Sequence, residues 1–583
     1  MEGGAGDTAV PSQPLCRTLA CLVLLVACPV RGAGLKVEVE GLPAEQRRNV
    51  LAFLSIDRER ENPSLQEGRL RRLHERAPEE IRRALTPFGL FRVDVQGELS
   101  EAQGVWVARY RVDPGEVIPV GSVDLQVSGE GASEVSFPTV GLAAGQPYSQ
   151  SAYDAAKSGL RRVAQDRGYL DAHYTRSEIL VGLDPYRADV TLHLETGPRY
   201  YFGDVHLEQE GFDPEFLHRF VDFQPGDPYA FGSLIGLQRA LLDTQYFREV
   251  EVAPQLERVE GQRVPIDVKL ERNKPNRYRI GVGYGTDTGP RVSADWTRRY
   301  IGDQGHSAHT LLSLSPVLQR AEASYRIPLA EPRREFLSFD SVLERYDTVS
   351  REGLDLGVGV SHHLFWGHWQ RILGVSYDFE VPEGGGEENF HSLVPSATWV
   401  WKVADDPIDT RRGTRVDMTV QGASEYALSS GSFLQGKVRA KAVRSPSDRV
   451  RLITRAELGG TLAGSVEDIP PSRRFYAGGD NSVRGYKFEK LSPRDGDGDR
   501  RGGKYLLTAS VELEHAVAEK WAVAGFYDTG NAFDSFRDLE MEQGAGVGVR
   551  WLSPVGMVRL DVARPVAGGD GGVQFYISVG PDL

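Results

Sequence analysis

Hydrophobic spacing changes character near Arg277. Before it, apolar residues at helical spacing are interleaved with short alternating runs; after it, helical spacing almost vanishes and a period of two takes over. In the first part, Leu234, Leu237, Leu241 and Leu242 form one helical stripe. Around it the pattern predicts a strand at 205–207, helices over about 213–222 and 230–244, and strands at 249–256 and 264–271. The second part alternates throughout. Tyr278, Ile280, Val282 and Tyr284 are separated by Arg279, Gly281, Gly283 and Gly285, and Leu434, Val438, Ala440 and Ala442 enclose Lys437, Arg439 and Lys441. Leu507, Ala509, Val511 and Leu513 enclose Thr508, Ser510 and Glu512, with Glu514 next. Val573, Phe575, Ile577 and Val579 are separated by Gln574, Tyr576 and Ser578, with Gly580 next.

One apolar and one polar face suit lipid outside and water inside. In lipid every backbone polar group needs a partner, so such strands must close into a barrel. About 300 residues at about 19 per strand and loop predict about 16 antiparallel strands over 276–583. A soluble β-sandwich with one wet face is the alternative. The strand number and the amino terminus disfavour it.

The first part repeats itself. Gly145-Gln146-Pro147-Tyr148 recurs as Gly226-Asp227-Pro228-Tyr229, and Gly168-Tyr169-Leu170 is echoed by Gln245-Tyr246-Phe247 and more loosely by Gly89-Leu90-Phe91. Strand-like ends recur at 105–112, 189–195 and 266–271. Each unit reads as a strand, two helices and two strands, giving α+β modules at 34–116, 117–197 and 198–275. A generic α+β linker is the bland alternative. Small sheets of this kind leave open edges that can accept an added strand.

The apolar run 19–30 is too short to span a bilayer. Arg17 precedes it and Gly32, Ala33 and Gly34 follow, which predicts a signal peptide over 1–33. Glu2 and Asp7 are unusual before such a run, so translation starting downstream of Met1 is a hypothesis that N-terminal mapping would decide. Leu25-Val26-Ala27-Cys28 resembles a lipoprotein box, but Pro29 after the cysteine disfavours it. Cys16, Cys21 and Cys28 all lie in this segment, so the mature chain has no disulfide, thiolate metal site or cysteine nucleophile to offer. The net charge of −14 argues mildly against a nucleic-acid partner.

Enzymatic signatures are missing. There is no G-x-S-x-G elbow and no phosphate loop with its lysine. His362-His363 lack a carboxylate at metalloprotease spacing and read as interface or loop residues. Asp495-Gly496-Asp497-Gly498-Asp499 opens like a calcium loop but lacks the downstream glutamate, so it reads as a solvated acidic loop. No cofactor or metal is expected.

The most specific stretch is Phe475-Tyr476-Ala477-Gly478-Gly479-Asp480-Asn481-Ser482-Val483-Arg484-Gly485-Tyr486. Val483-Arg484-Gly485-Tyr486 resembles the tip of the lumenal loop in the outer-membrane insertase superfamily of BamA, TamA and the two-partner secretion transporters. The three modules resemble that superfamily's periplasmic POTRA domains. The resemblance implies that Arg484 binds an acidic residue of the barrel wall. Asp528, in Phe526-Tyr527-Asp528-Thr529-Gly530, matches the family's F-x-D-x-G wall motif, and Asp561 is the second candidate by strand parity with Arg559. Alone, without the resemblance, Arg484 would read as an exposed loop arginine. The resemblance also implies a weak seam between first and last strands, here Ile280, Val282 and Tyr284 facing Phe575, Ile577, Val579 and Gly580. Gly281, Gly283, Gly285, Gly580 and Pro581 would weaken pairing there, or the glycines would merely relieve crowding.

Leu35-Lys36-Val37-Glu38-Val39-Glu40-Gly41-Leu42, the stretch from Leu491-Ser492-Pro493 to Gly502-Gly503, and the ending Gln574 to Leu583 are most similar to the TamA branch. That branch implies an outer-membrane protein, with POTRA domains in the periplasm. It would assemble autotransporter-type clients with a TamB-like inner-membrane-anchored partner and no nucleotide. The alternatives are a general BamA-like insertase, a two-partner secretion transporter, or a passive porin whose lumen carries Lys437, Arg439 and Lys441.

Overall fold

The computed structural model describes residues 34–580 apart from 63–64, 103, 135–141, 286–288, 349, 384–387, 497, 538, 554–555 and 567–571. The signal-peptide expectation, with its three cysteines, and the expectations on Pro581 and Asp497 lie outside the described residues, as does the side chain of Tyr284.

The chain divides into two compact units, one ending at Arg199 and one starting at Tyr200. The first unit holds two α/β modules. In the first, β1 (Gly34–Glu40), α1 (Ala44–Phe53), α2 (Ser55–Arg58) and α3 (Glu67–Leu85) precede β2 (Asp94–Ala102) and β3 (Val105–Asp113). The last strand is central: β1 runs parallel to β3 and β2 antiparallel to it. Helix α3 buries Leu70, Ala77, Ile81, Ala84 and Leu85, which share one face at helical spacing, against Ala108, Tyr110 and Val112 of β3. The second module has the same sheet order with β4 (Val120–Ser128), β5 (His173–Leu183) and β6 (Tyr186–Glu195). Its helix α4 (Gln150–Asp166) buries Tyr153, Ala156, Leu160 and Ala164. Among the described residues this module has one α-helix and a single 3-10 turn at Glu130–Ser133, where the pattern predicted two helices.

The second unit begins with the third module: β7 (Tyr201–Glu208), α5 (Pro214–His218), α6 (Phe231–Asp243), β8 (Phe247–Pro254) and β9 (Arg263–Arg272), again with the last strand central. The expected helix over 213–222 is only five residues long. Asp213 caps it by accepting the Glu215 amide (2.9 Å), and Pro214 starts it. Helix α6 buries Leu234, Leu237 and Leu241, whereas Leu242, expected in the same stripe, is exposed.

The repeated Gly-x-Pro-Tyr has a structural meaning. Gly145 and Gly226 both have positive φ (85° and 95°). Their amides bond back to Val120 and Phe202 (2.7 and 2.8 Å), and the tyrosine amides bond to Ile118 and Tyr200 (2.9 and 3.0 Å). Both rings are buried. The same turn thus ties helix to first strand in both modules.

Sixteen antiparallel strands follow in chain order, from β10 (Asn276–Gly285) to β25 (Gln574–Gly580), in one sheet with the architecture of a barrel. The alternation has its expected consequence: Val511 and Leu513 face outward while Glu512 and Glu514 are buried inside. The third module packs on the turn after β11 (Gly289–Ile301). Tyr246 donates to the Gly305 carbonyl (2.6 Å), the Asp213 amide to Asp303 (3.0 Å), and Phe212 meets Tyr300 edge-on at 5.3 Å. Packing therefore divides the chain at Arg199, although the spacing of apolar residues changes near Arg277.

Candidate functional site

The long connection 464–504, between β20 (Val450–Ala463) and β21 (Tyr505–Ala518), folds onto the inner face of the sheet. Isolated bridges Phe475–Gly503 and Ala477–Leu491 shape it into a narrow hairpin. Val483 and Tyr486 are buried with Phe475, Ala477, Leu491, Leu506 and Ala532, which fastens the tip by hydrophobic contact. The Tyr486 hydroxyl also donates to Glu542 (2.5 Å).

Arg484 sits at the tip, almost fully buried. Asp528 on β22 (Trp521–Phe533) accepts from its Nε (2.7 Å), one terminal nitrogen (3.0 Å) and its backbone amide (3.0 Å). The other terminal nitrogen donates to Glu512 on β21 (2.8 Å) and to Asp561 on β24 (Gly556–Pro565) at 3.1 Å. The structure thus brings both carboxylates named from sequence to Arg484. A guanidinium stays charged, and its planar fork matches a carboxylate bidentately. Its flat face lies 3.3 Å from the Phe526 ring centroid. Gly485 has φ 100°, and a Cβ there would press on the backbone of Arg564 and Pro565.

A lane of glycines makes room for this docking. On β23 (Glu542–Ser553), Gly544, Gly546 and Gly548 face inward. A Cβ at Gly544 would overlap the Arg484 carbonyl, at Gly546 the Phe526 ring, and at Gly548 the Asp561 carboxylate.

The clamp continues as a buried network that sequence reasoning missed. Arg550 on β23 is wholly buried and donates to Glu512 (2.6 Å), Glu514 (3.0 Å) and Asp561 (2.5 Å). Arg451 on β20 pairs with Glu514 (3.3 Å) and Asp409 (3.1 Å), and Arg455 lies 3.9 Å from Asp528. Four guanidiniums (Arg451, Arg455, Arg484, Arg550) therefore interleave with Glu512, Glu514, Asp528 and Asp561, so burial leaves no excess of one sign among them. The polar parity of β21 placed Glu512 and Glu514 inside; Arg550 shares the parity of the three glycines, the signal that could have found it.

The seam contrasts with this wall. Every interior strand is paired on both sides, but among the described residues no ladder joins β10 to β25. Ile280 and Val282 are 83% and 84% exposed, more than Ile577 of β25 at 46%. Phe575 and Val579 also point outward, and Tyr284 lies on β10. Gly580 ends β25, paired with Met557. A Cβ at Gly283 would meet nothing within 4 Å, so crowding does not explain that glycine.

Two other readings change place. His362 and His363 lie within strand β15 (Glu352–Trp366), not a loop; His362 is 2.7 Å from Glu335, and His363 stacks on Phe336. Lys437 and Arg439 both pair with Glu457 (2.6 and 3.3 Å), which reduces the positive charge they offer the lumen.

Comparison with known proteins agrees with this architecture. The profile described as the Omp85 superfamily domain matches residues 274–582, and that described as POTRA domain TamA domain 1 matches residues 36–114. Outer membrane protein assembly factor BamA of Nitratidesulfovibrio vulgaris is 26% identical over 445 residues, 71% of this chain and 55% of that protein. Its counterpart in Neisseria meningitidis serogroup B is 22% identical over 472 residues, 68% of this chain and 58% of that protein. The chain spans little more than half the length of these curated relatives. The crystal structure of BamA from Haemophilus ducreyi lacking POTRA domains 1–3 shares the fold, with a TM-score of 0.64 at 17% identity over 79% of this chain and 99% of that one. With the superfamily profile covering more than half of its length, the chain belongs to the Omp85 superfamily.

Proposed function

We propose that this chain is a TamA-like outer-membrane insertase, non-enzymatic, that assembles autotransporter-type β-barrel clients through its seam. The modules at 34–116, 117–197 and 198–275 act as three periplasmic POTRA domains, and 276–583 is the barrel. The observation that carries the reading is that, among the described residues, no ladder joins β10 to β25 in a sheet whose other strands are each paired on both sides. A free edge presents unpaired N–H and C=O groups, which a client strand can satisfy without crossing the lipid core unpaired. Client folding and membrane burial then supply the driving free energy, with no nucleotide or cofactor. The TamA-type match over the first module supports the TamA branch and a TamB-like inner-membrane-anchored partner.

A general BamA-like insertase is the second reading, favoured by the names of the curated relatives. A two-partner transporter is less favoured, because two POTRA units are usual there. The docked loop and the Glu457 pairs argue against a passive porin. Gentle purification from native membranes followed by mass spectrometry separates these readings. A large, β-rich, inner-membrane-anchored partner is expected; accessory lipoproteins, or a single secreted exoprotein, would overturn the TamA reading.

A further inference from the structure

The loop is held at both ends, and one of those ends includes the last strand of the sheet. At its base, on β16 (Trp369–Pro382), Glu380 accepts the Ser472 amide (3.1 Å) and the Tyr346 hydroxyl (2.7 Å), while Arg473 donates to Asp378 (2.6 Å). This anchor shares no residue with the Arg484 clamp. At the tip, the Tyr576 hydroxyl of β25 accepts the Gly485 amide (2.9 Å) and donates to the Tyr486 carbonyl (3.0 Å). One phenol thus uses its proton and a lone pair on two consecutive main-chain groups. Its ring is buried with Phe526 and Ala563, and the Phe526 ring in turn lies under the Arg484 guanidinium.

Strand β25 is seven residues long, pairs among the described residues with β24 alone, and borders the seam. We propose that Tyr576 is a positioning residue that ties the C-terminal edge of the seam to the loop tip. The loop, anchored on β16, is then a strut that sets how far β25 stands from β10. The base anchor lies on strands remote from the seam in the sheet order, since Arg473 also donates to Gln421 (2.9 Å) and accepts from Gln435 (2.7 Å), and the loop is the side-chain path from it to the tip. The inference rests on the seam reading above only in taking β10 and β25 as edges that can part.

The test reads that separation directly and needs no client. The sequence has only Cys16, Cys21 and Cys28, so with these replaced by serine, spin labels can be placed at Ile280→Cys and Ile577→Cys alone in the chain, reconstituted in bilayers. Pulsed electron-resonance distances are compared for the parent, Tyr576→Phe and Arg473→Ala. Phe keeps the buried ring and removes only the hydroxyl. Both variants are expected to raise the population of wide separations by about tenfold, the scale of losing one or two net hydrogen bonds. A parent-like distribution in either variant overturns the proposal. A merely structural role would lower the temperature at which the folded band is lost on gels without changing the distances. Failure of the gate itself is a separate result, since it would appear as client assembly indifferent to the seam.

Discussion

The two walls flanking the last strand are built in opposite ways. From β20 to β24 the inner face is a neutralised lattice of buried arginines and carboxylates, with glycines cut away to admit the loop tip. On the other side, β10 carries glycines with open space beside one of them, and exposed apolar side chains. Charge burial is tolerable only when every partner is present, so the first wall has one good arrangement. The second has no such constraint, and an edge with unspent backbone groups can trade partners. On the proposed function, the contrast puts rigidity and exchange in neighbouring parts of one sheet.

The sharpest way to break this contrast is Arg484→Ala. It takes from Asp528 its bidentate partner, leaving Arg455 at 3.9 Å, and from Glu512 and Asp561 one of two arginines, and removing one partner of a buried pair costs about 3–5 kcal/mol. The barrel should insert, the loop tip should undock and become protease-sensitive, and client assembly should fall at least about tenfold. Full activity would remove the clamp from the mechanism. Exchanging the charges of Arg484 and Asp528 is not expected to restore function, because an aspartate at 484 would face Glu512 and Asp561.

Gly544→Val drives a side chain into the Arg484 carbonyl and should cost about 1–3 kcal/mol, read as a lower temperature for loss of the folded band. Away from both walls, Tyr246→Phe leaves the buried Gly305 carbonyl without its donor. About 1 kcal/mol of module–barrel attachment should go, visible as faster amide exchange in α6 and β8. Smallest is Gly283→Val on β10, expected within about 0.5 kcal/mol of the parent. A large effect there, or none at Gly544, would erase the distinction between the walls.

Alternation made the strand number legible, because a period of two survives wherever one face meets lipid and the other water. Gly-x-Pro-Tyr exposed the repeat for a similar reason: positive φ at the glycine and a buried tyrosine leave little choice of residue. Arg484 was legible from its motif. Its surroundings were only partly so, since Glu512 and Arg550 stand on β21 and β23 with β22 between them, a pairing across a strand that no local spacing announces. Leu242 followed the helical stripe but falls just past the face that the small sheet covers. The docking of the third module was hidden because it uses the polar turn Gly302-Asp303-Gln304-Gly305, which has no periodicity to read. Tyr576 reads as one more inward residue until the loop tip is placed beside it.

The most direct test of the account is to lock the seam. Cysteine pairs joining Ile280 or Val282 to Phe575 or Ile577 would be oxidised in the membrane, and folding of a β-barrel client followed before and after reduction. The account predicts that a locked seam stops client assembly and that reductant restores it. Assembly that proceeds unchanged through a fully locked seam would contradict it.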